Sequence, residues 1–584
     1  MEELKRKFLP SDPDLKPSTL KKSVRFGITC FVSQSKKPCA LLKQSYQDFI
    51  VNEIHNGVVE RLTDLNPPTS KFSSLSKEAF VEKLSMLIPK EEANTISNLK
   101  GSETHNISVI LEEKSKRQQV HDLIKTFPPL ASKTKEDKSI EIFFSKKQRI
   151  NWKDLGGDYL EFLLYKENKD TADAINHISR LIGCSTKIFS FSGNKDRRAI
   201  TLQKVTAYHV TAENLAQAVN KEGWLVPNDK RRGCIRVGNF SYCKNSLNLG
   251  DLDGNHFAIT LSIRRVELGS ESPEVFIREA CESLQNNGFI NYFGLQRFGV
   301  LDVSTHEIGV QILNGNYENA VNLIMKKKEN EREDFTIARE HWEKNKNPKE
   351  ALNLFPYSCV AERSILSYYI KVEDAFRTPM KALSNHMVSL RIKTYGMKLV
   401  VGDLVLIKEK SLHSSTTGGR NPQNVLILNE ENLQKYSIKD LVLPLPGYDI
   451  IYPTNSIREE YKNFMAKDNI DYKGMKREER DFSLPGNYRY VFASVQNLKV
   501  TALSLNEMDI KNGLKVPDSE IGFLVSDLYI NAFNLGGSKL AVVLEFDLNA
   551  ACYATMVLRE IAQCEELDKT EVYEGNDKKK PKHL

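Results

Sequence analysis

Apolar and polar positions are most regular between residues 158 and 210. "DYLEFLLYK" (158–166) alternates as a half-buried strand does. "DTADAINHISRLIG" (170–183) instead sets Ile175, Ile178 and Ile182 on one helical face, with Asp170 or Thr171 as N-cap and Gly183 as the stop. "KIFSFS" (187–192) predicts a second strand, Gly193–Asn194 a turn, and "AITLQKVTAYHV" (199–210) a third strand rich in β-formers. "GNKDRRA" therefore sits on a tight connection at a strand end, and loops carried by rigid sheets are where catalytic groups concentrate.

Four stretches break this periodicity and predict linkers or loops: "NPPTSKFSSLSK" near 70, "PPLASKTKEDK" near 132, "SLHSSTTGGRNP" near 415, and the tail after Ala562. Between the first two, "KEAFVEKLSMLIPKEEANTISNL" predicts a polar helical insertion. "KKKENEREDFTIAREHWEKNKNPKE" predicts a solvated helix. No repeat of solenoid period is present.

With 584 residues the chain exceeds one hydrophobic core, so two or three domains are expected. No apolar run approaches the roughly 18 residues of a membrane span, and the N-terminal stretch lacks a secretory apolar core. A nuclear or cytoplasmic protein is expected, with no membrane association and as a monomer by default. Nine cysteines form no C-x-x-C pair and eleven histidines no metal spacing, so no metal is expected. Net charge is +7, so the placement of charge matters more than its excess. "KKKPK" at 578–582 reads either as a nuclear-import cluster or as a solvated tail.

Asp196 is the one carboxylate among Lys195, Arg197, Arg198 and Lys204. Nearby cations favour the charged form of an acid that must act as a nucleophile, and Gly193 leaves room for a substrate. A surface ion pair explains the same pattern. "GFINYFGLQRFG" (288–299) interleaves rings with Asn291, Gln296 and Arg297, an arrangement suited to a flipped base, or to an apolar core strand turning at Gly294. In "LLKQSYQDFIVNEI" (41–54), Lys43 precedes a strand with Phe49 and Val51 on one face, the pattern of an exposed lysine and a core ring.

Taken together, "LLKQSYQDFIVNE", "GNKDRRAITLQ" and "NYFGLQRFG" resemble the three catalytic motifs of the TruD family of pseudouridine synthases, in the family's order. "LPLPGYDIIYPTN" (443–455), "DFSLPGNYRYV" (481–491) and "FDLNAACYATMVLREI" (546–561) resemble its eukaryotic branch. One departure is Ser384, which stands before Asn385 where relatives carry tryptophan.

The resemblance implies an α+β fold: a catalytic domain with a mixed or antiparallel sheet flanked by helices, split by an α/β insertion domain. The catalytic part would comprise residues 1–300 with 481–565, carrying a eukaryotic-type insertion at about 55–150. The insertion domain would cover 305–480, and 566–584 would form a basic tail. It further implies isomerisation of uridine in RNA to pseudouridine without a cofactor, on tRNA first and on small nuclear or messenger RNA beyond it.

By the same resemblance Asp196 is the essential aspartate. It would act covalently at ribose carbon 1′ or uracil carbon 6, or as the base removing the ribose 2′ proton. Lys43 would pair with it, Phe293 would stack on the flipped uracil, Asn291 would position loop or base, and Phe49 would form a second aromatic wall. Gly193, Lys195, Arg197, Arg198 and Arg297 would contact RNA or order the loop. The rival reading is an inactive RNA-binding protein or RNA chaperone that keeps the fold.

Overall fold

The computed structural model describes residues 18–68, 77–99, 103–107, 113–125, 127, 130–144, 152–220, 234–264, 273–299, 303–327, 333–345, 347–356, 359, 362–363, 373–407, 417–418, 424–471, 475–476, 483–504 and 539–566. The "KKKPK" cluster, the 567–584 tail and most of the 411–422 loop lie outside them.

The fold is α+β. The periodic stretch folds as its pattern predicts: strand β7 (Tyr159–Glu167), a helix at Thr171–Ile182, short strand β8 (Phe189–Phe191) and β9 (Ile200–Tyr208). Asp170 is the N-cap, accepting from the Asp173 N–H, and Gly183 ends the helix at φ 68°. The helix buries Ala174, Ile175 and Ile178 against Leu160, Phe162, Leu164, Val205 and Ala207 of the sheet.

These strands belong to an eleven-stranded sheet whose other members are β1 (Cys39–Leu42), β2 (Phe49–His55), β3 (Val58–Val59), β10 (Ile235–Cys243), β11 (Gly254–Arg264), β19 (Gln496–Ser504), β20 (Lys539–Asn549) and β21 (Gln563–Glu566). Its centre is β11, which pairs antiparallel with β20 along one edge. Along the other edge it has two successive partners. Residues 254–259 pair with β2 and residues 261–263 with β1, so residues 43–48 leave the sheet opposite the single Thr260.

On either side of this break the next neighbours differ: β9 lies parallel to β2, with Ile200 beside Ile50, and β21 lies parallel to β1. The sheet forks. The loop before β9 and the 43–48 excursion both leave the sheet beside the start of β2.

Among the described residues, three smaller sheets accompany the large one. β4 (Thr104–Asn106), β5 (Leu130–Thr134) and β6 (Ile140–Phe144) pack with helices at Lys77–Ser85, Lys90–Ser97 and Lys114–Lys125 around their own core. β13 (Leu404–Leu406), β14 (Thr417–Gly418), β15 (Val425–Ile427), β16 (Leu441–Leu445) and β17 (Asn487–Tyr490) form a second. β12 (Phe289–Ile290) and β18 (Phe492–Ala493) form a two-stranded bridge. Because β17 pairs with β16, the chain rejoins the large sheet only at Gln496.

Three local expectations change. "PPLASKTKEDK" is not a linker: Leu130–Thr134 pairs with 140–144 across a tight turn in which Lys138 takes φ 66°. The tail after Ala562 first adds β21 to the large sheet. The charged helix, Glu333–Asn345, is not wholly solvated. It buries Ala338 and Arg339, whose guanidinium donates to the Ile324 carbonyl at 2.6 Å and meets Glu362 at 2.5 Å.

Gly288 ends the helix Pro273–Asn287 at φ 72°, and a Cβ there would stand 2.2 Å from the Ala493 carbonyl oxygen. Gly57 has a similar φ of 73° with no atom within 4 Å of that position. Left-handed backbone at a non-glycine residue costs about 1–3 kcal/mol, so Gly57→Ala should cost no more than that. Gly288→Ala should lose clearly more in urea unfolding because the bridge must also open. Equal losses would contradict the close approach of β18.

Candidate active site

The excursion 43–48 opens with Lys43 at φ 55°, a conformation that non-glycine residues hold only where surroundings enforce it. The turn aims the side chain inward. Its ammonium donates to Asp196 Oδ2 at 2.9 Å and lies 4.1 Å from the Phe49 ring centroid. The Lys43 side chain is 7% exposed and that of Asp196 49%, so the cation is enclosed and the acid is half open to solvent. The exposed lysine expected at position 43 is thus buried, and Phe49 walls the ammonium.

Three contacts hold the excursion. Asp48 Oδ2 accepts the Ser45 N–H at 2.6 Å, Ser45 Oγ accepts that of Gln47, and Arg198 donates to the Gln44 carbonyl at 3.0 Å. Burial pushes the Asp48 carboxyl up to about 6, against the opposing pull of the Ser45 and Gln44 N–H groups and Arg198.

The Asp196 loop is tied as closely. The Lys195 N–H donates to Thr171 Oγ1 at 3.0 Å, Thr171 donates to Gln203 Oε1 at 2.8 Å, and Gln203 donates to the Gly193 carbonyl at 3.0 Å. Lys166, fully buried, donates to the carbonyls of Lys169 at 2.7 Å and Asp196 at 3.3 Å. Burial lowers its ammonium to about 8.

Lys195 does not reach outward. Its ammonium is 2.9 Å from Glu53 Oε1 and donates to Asn255 at 2.6 Å. Burial alone would raise Glu53, but Lys195, a hydrogen bond from His55 and the Lys204 N–H together hold it below the usual range. Arg197 is exposed on the loop, and a Cβ at Gly193 would meet no atom within 4 Å.

The 291–297 segment forms a second group, centred on Arg489. This buried guanidinium donates to the Asn291 carbonyl at 3.0 Å, to Asn291 Oδ1 at 2.7 Å and to the Ala551 carbonyl at 2.8 Å. It also lies 4.3 Å from the centroid of the Phe293 ring. Asn291 Nδ2 donates to the Tyr490 carbonyl at 3.2 Å, which commits both ends of the amide. Arg297, exposed, donates to Tyr553 Oη at 3.0 Å.

The structure brings Lys43, Phe49 and Asp196 together, with Arg198 bracing the excursion. Asn291, Phe293 and Arg297 gather around Arg489 and Tyr553. Phe49 and Ala199 share one core with Phe289, Ile290 and Tyr292, while the Phe293 ring packs with Phe26, Phe298 and Ala382 in a neighbouring cluster.

Sequence reasoning passed over Asp48, Glu53, Lys166, Gln203 and Arg489. Asp48, Glu53 and Gln203 stand inside the quoted motifs, Lys166 reads as an ordinary strand end, and Arg489 is a lone base in the aromatic stretch "NYRYV".

The profile of the family described as "tRNA pseudouridine synthase D (TruD)" matches residues 133–561. The chain is 34% identical over 572 residues to the human "Pseudouridylate synthase 7 homolog", covering 92% of this chain and 80% of that one. It is also 34% identical over 508 residues to "Multisubstrate pseudouridine synthase 7" of Schizosaccharomyces pombe, covering 79% and 72%. The fold is similar to the crystal structure of the putative tRNA pseudouridine synthase D from Methanosarcina mazei, at TM-score 0.51 and 21% identity over 93% of this chain and 97% of that one.

Asp48 gives the site a measurable pH signature. A carboxyl raised from 3.8 to about 6 on folding binds its proton more tightly in the native state. Its contribution to stability is therefore full at low pH and lost as pH rises through about 6. Comparing urea unfolding of the wild type and Asp48→Asn from pH 4 to 7, the wild type should show this extra decline. Parallel curves would mean that Asp48 titrates as an ordinary surface acid.

Proposed function

The chain belongs to the tRNA pseudouridine synthase D (TruD) family, and on that premise we propose that Asp196 is the residue through which it acts on uridine. The enzyme is an RNA pseudouridine synthase, an isomerase. The reaction breaks the N–C glycosidic bond, turns the uracil while it is held, and forms a C–C bond at carbon 5. No atoms or electrons are gained or lost.

The single observation that carries the assignment of Asp196 is its contact with Lys43. A lysine meant for phosphate would keep its ammonium in solvent, yet here it is enclosed beside Phe49 and spends a hydrogen bond on one carboxylate oxygen. Lys43 takes Oδ2, and the half-exposed carboxylate offers Oδ1 to the ribose or base. That arrangement suits covalent attack and proton removal alike. A purely RNA-binding protein has no use for it.

Phe293 supplies the ring on which the extruded uracil stacks, and stacking worth about 1–3 kcal/mol per base helps offset the cost of extrusion. Asn291 positions the loop and does not read the base, because both ends of its amide are engaged. Lys195, tied to Glu53, orders the loop, whereas exposed Arg197 and Arg297 meet RNA phosphates. The catalytic half comprises residues 1–300 with 481–565, and 305–480 is the inserted half; the pairing of β19 with β20 in the large sheet supports this division, while β17 (Asn487–Tyr490) pairs with β16 of the inserted half. tRNA is the first substrate, a reading supported by the name of the family.

Asp196→Asn should lower pseudouridine formation on tRNA by about 10²-fold or more while leaving RNA affinity near that of the wild type. Full turnover by that variant would end the assignment. Lys43→Met should lose turnover in the same direction. Affinity of the wild type for tRNA should fall steeply with salt as phosphate contacts release counterions, as measured by filter binding from low to moderate salt.

A further inference from the structure

We propose that Asn385, on the helix Glu373–Tyr395, is a positioning residue that sets the backbone of Phe293 and so ties the base-stacking ring to the inserted half of the protein. The inference rests on the assignment of Phe293 above.

Asn385 treats the Phe293 peptide as a strand partner would. The Phe293 N–H donates to Asn385 Oδ1 at 2.8 Å, and Asn385 Nδ2 donates to the Phe293 carbonyl at 3.0 Å. Four residues on, and thus on the same helical face, Ser389 Oγ lies 2.6 Å from Tyr292 Oη and donates to the Gly27 carbonyl. Asn385 and Ser389 are both buried. Two adjacent residues of the candidate site are therefore fixed by two polar side chains one helical turn apart.

The ring of Phe293 is fixed separately, by Arg489 at 4.3 Å, and the Arg489 guanidinium holds Asn291 as well. Backbone and ring thus have different keepers. Loss of Asn385 would leave a buried N–H and a buried carbonyl without their partner, and the peptide would turn in search of others.

The test uses the full-length chain with Asn385→Ala, Asn385→Asp and, as a packing control on the same helix, Met387→Ala, whose side chain lies in the core. Single-turnover rates on tRNA are measured beside tRNA affinity and melting temperature. Misplacement of a positioned group can cost about 10²-fold, so Asn385→Ala should lose roughly ten- to a hundredfold in rate with affinity little changed. Asn385→Asp keeps the acceptor for the Phe293 N–H but not the donor, and should fall between. Met387→Ala should lower the melting temperature while keeping the rate.

A second readout does not depend on turnover. 4-Fluorophenylalanine at position 293 should shift or broaden its ¹⁹F signal in Asn385→Ala and not in Met387→Ala. A wild-type rate and an unmoved signal in Asn385→Ala would overturn the proposal, as would an equal rate loss in Met387→Ala. A wild-type protein that forms no pseudouridine would sink the functional reading instead, and the ¹⁹F comparison would still decide whether Asn385 sets the Phe293 backbone that carries the ring.

Discussion

One ammonium group, shut away from solvent and turned toward one carboxylate, organises the candidate site. Lys43 and Asp196 are 153 residues apart in sequence, and only the forked sheet brings them together. The fork follows from register. Because β11 accepts β1 on one half and β2 on the other, the six residues between them must loop out, and β9 enters beside them with Asp196 at its head. A lysine at the base of such a loop cannot reach water without abandoning the Phe49 ring. Asp196 is half exposed, so water screens its side of the pair, and what the pair does most directly is aim the carboxylate.

Holding the loop falls to charges deeper inside. Lys195 meets Glu53, and Lys166 meets the Lys195 and Asp196 carbonyls of the loop together with the Lys169 carbonyl before the helix. Removing a charge from water is costly unless partners replace the lost hydration. Glu53 has three such partners and stays below the usual carboxylate range; Lys166, held largely by carbonyls, is depressed by burial. Such groups are poor stabilisers. They do leave the loop few alternative conformations, because any other arrangement would strand a buried charge. Rigidity of that kind is what a reaction sensitive to sub-ångström placement requires.

Much of this is legible in the sequence. The helix 171–182 with its Asp170 cap and Gly183 stop, the strands on either side, and the identity of Asp196 and Lys43 as partners all follow from pattern or motif. What stayed hidden depended on pairings distant in sequence. Lys43 reads as an exposed lysine because nothing within 41–54 reveals that β11 splits its partners there. Arg339 reads as part of a solvated charged run because the Ile324 carbonyl and Glu362 that receive it come from other helices. Lys195 reads as an RNA contact because its acceptor, Glu53, lies on a strand more than a hundred residues earlier. Local pattern reports propensity, and the fate of a long charged side chain is decided by whatever tertiary neighbour offers an acceptor.

The second group makes the same point about domain architecture. Asn291 and Phe293 are contributed by the segment after β12, Arg489 by β17, and Tyr553 by the turn after β20, where Ala551 itself sits at φ 63°. Arg489 draws these together with no carboxylate among its named contacts. Its donors go to carbonyls and an amide, and its faces to Phe293 and Tyr553. A guanidinium can do this because it is planar and presents five donors in fixed directions, while an ammonium in its place could satisfy the carbonyls but not lie flat on the rings. Since β17 is hydrogen-bonded into the smaller sheet and Tyr553 follows the larger one, the geometry of the Phe293 ring depends on both sheets at once. Displacing the smaller sheet would therefore displace Arg489 and the ring beneath it.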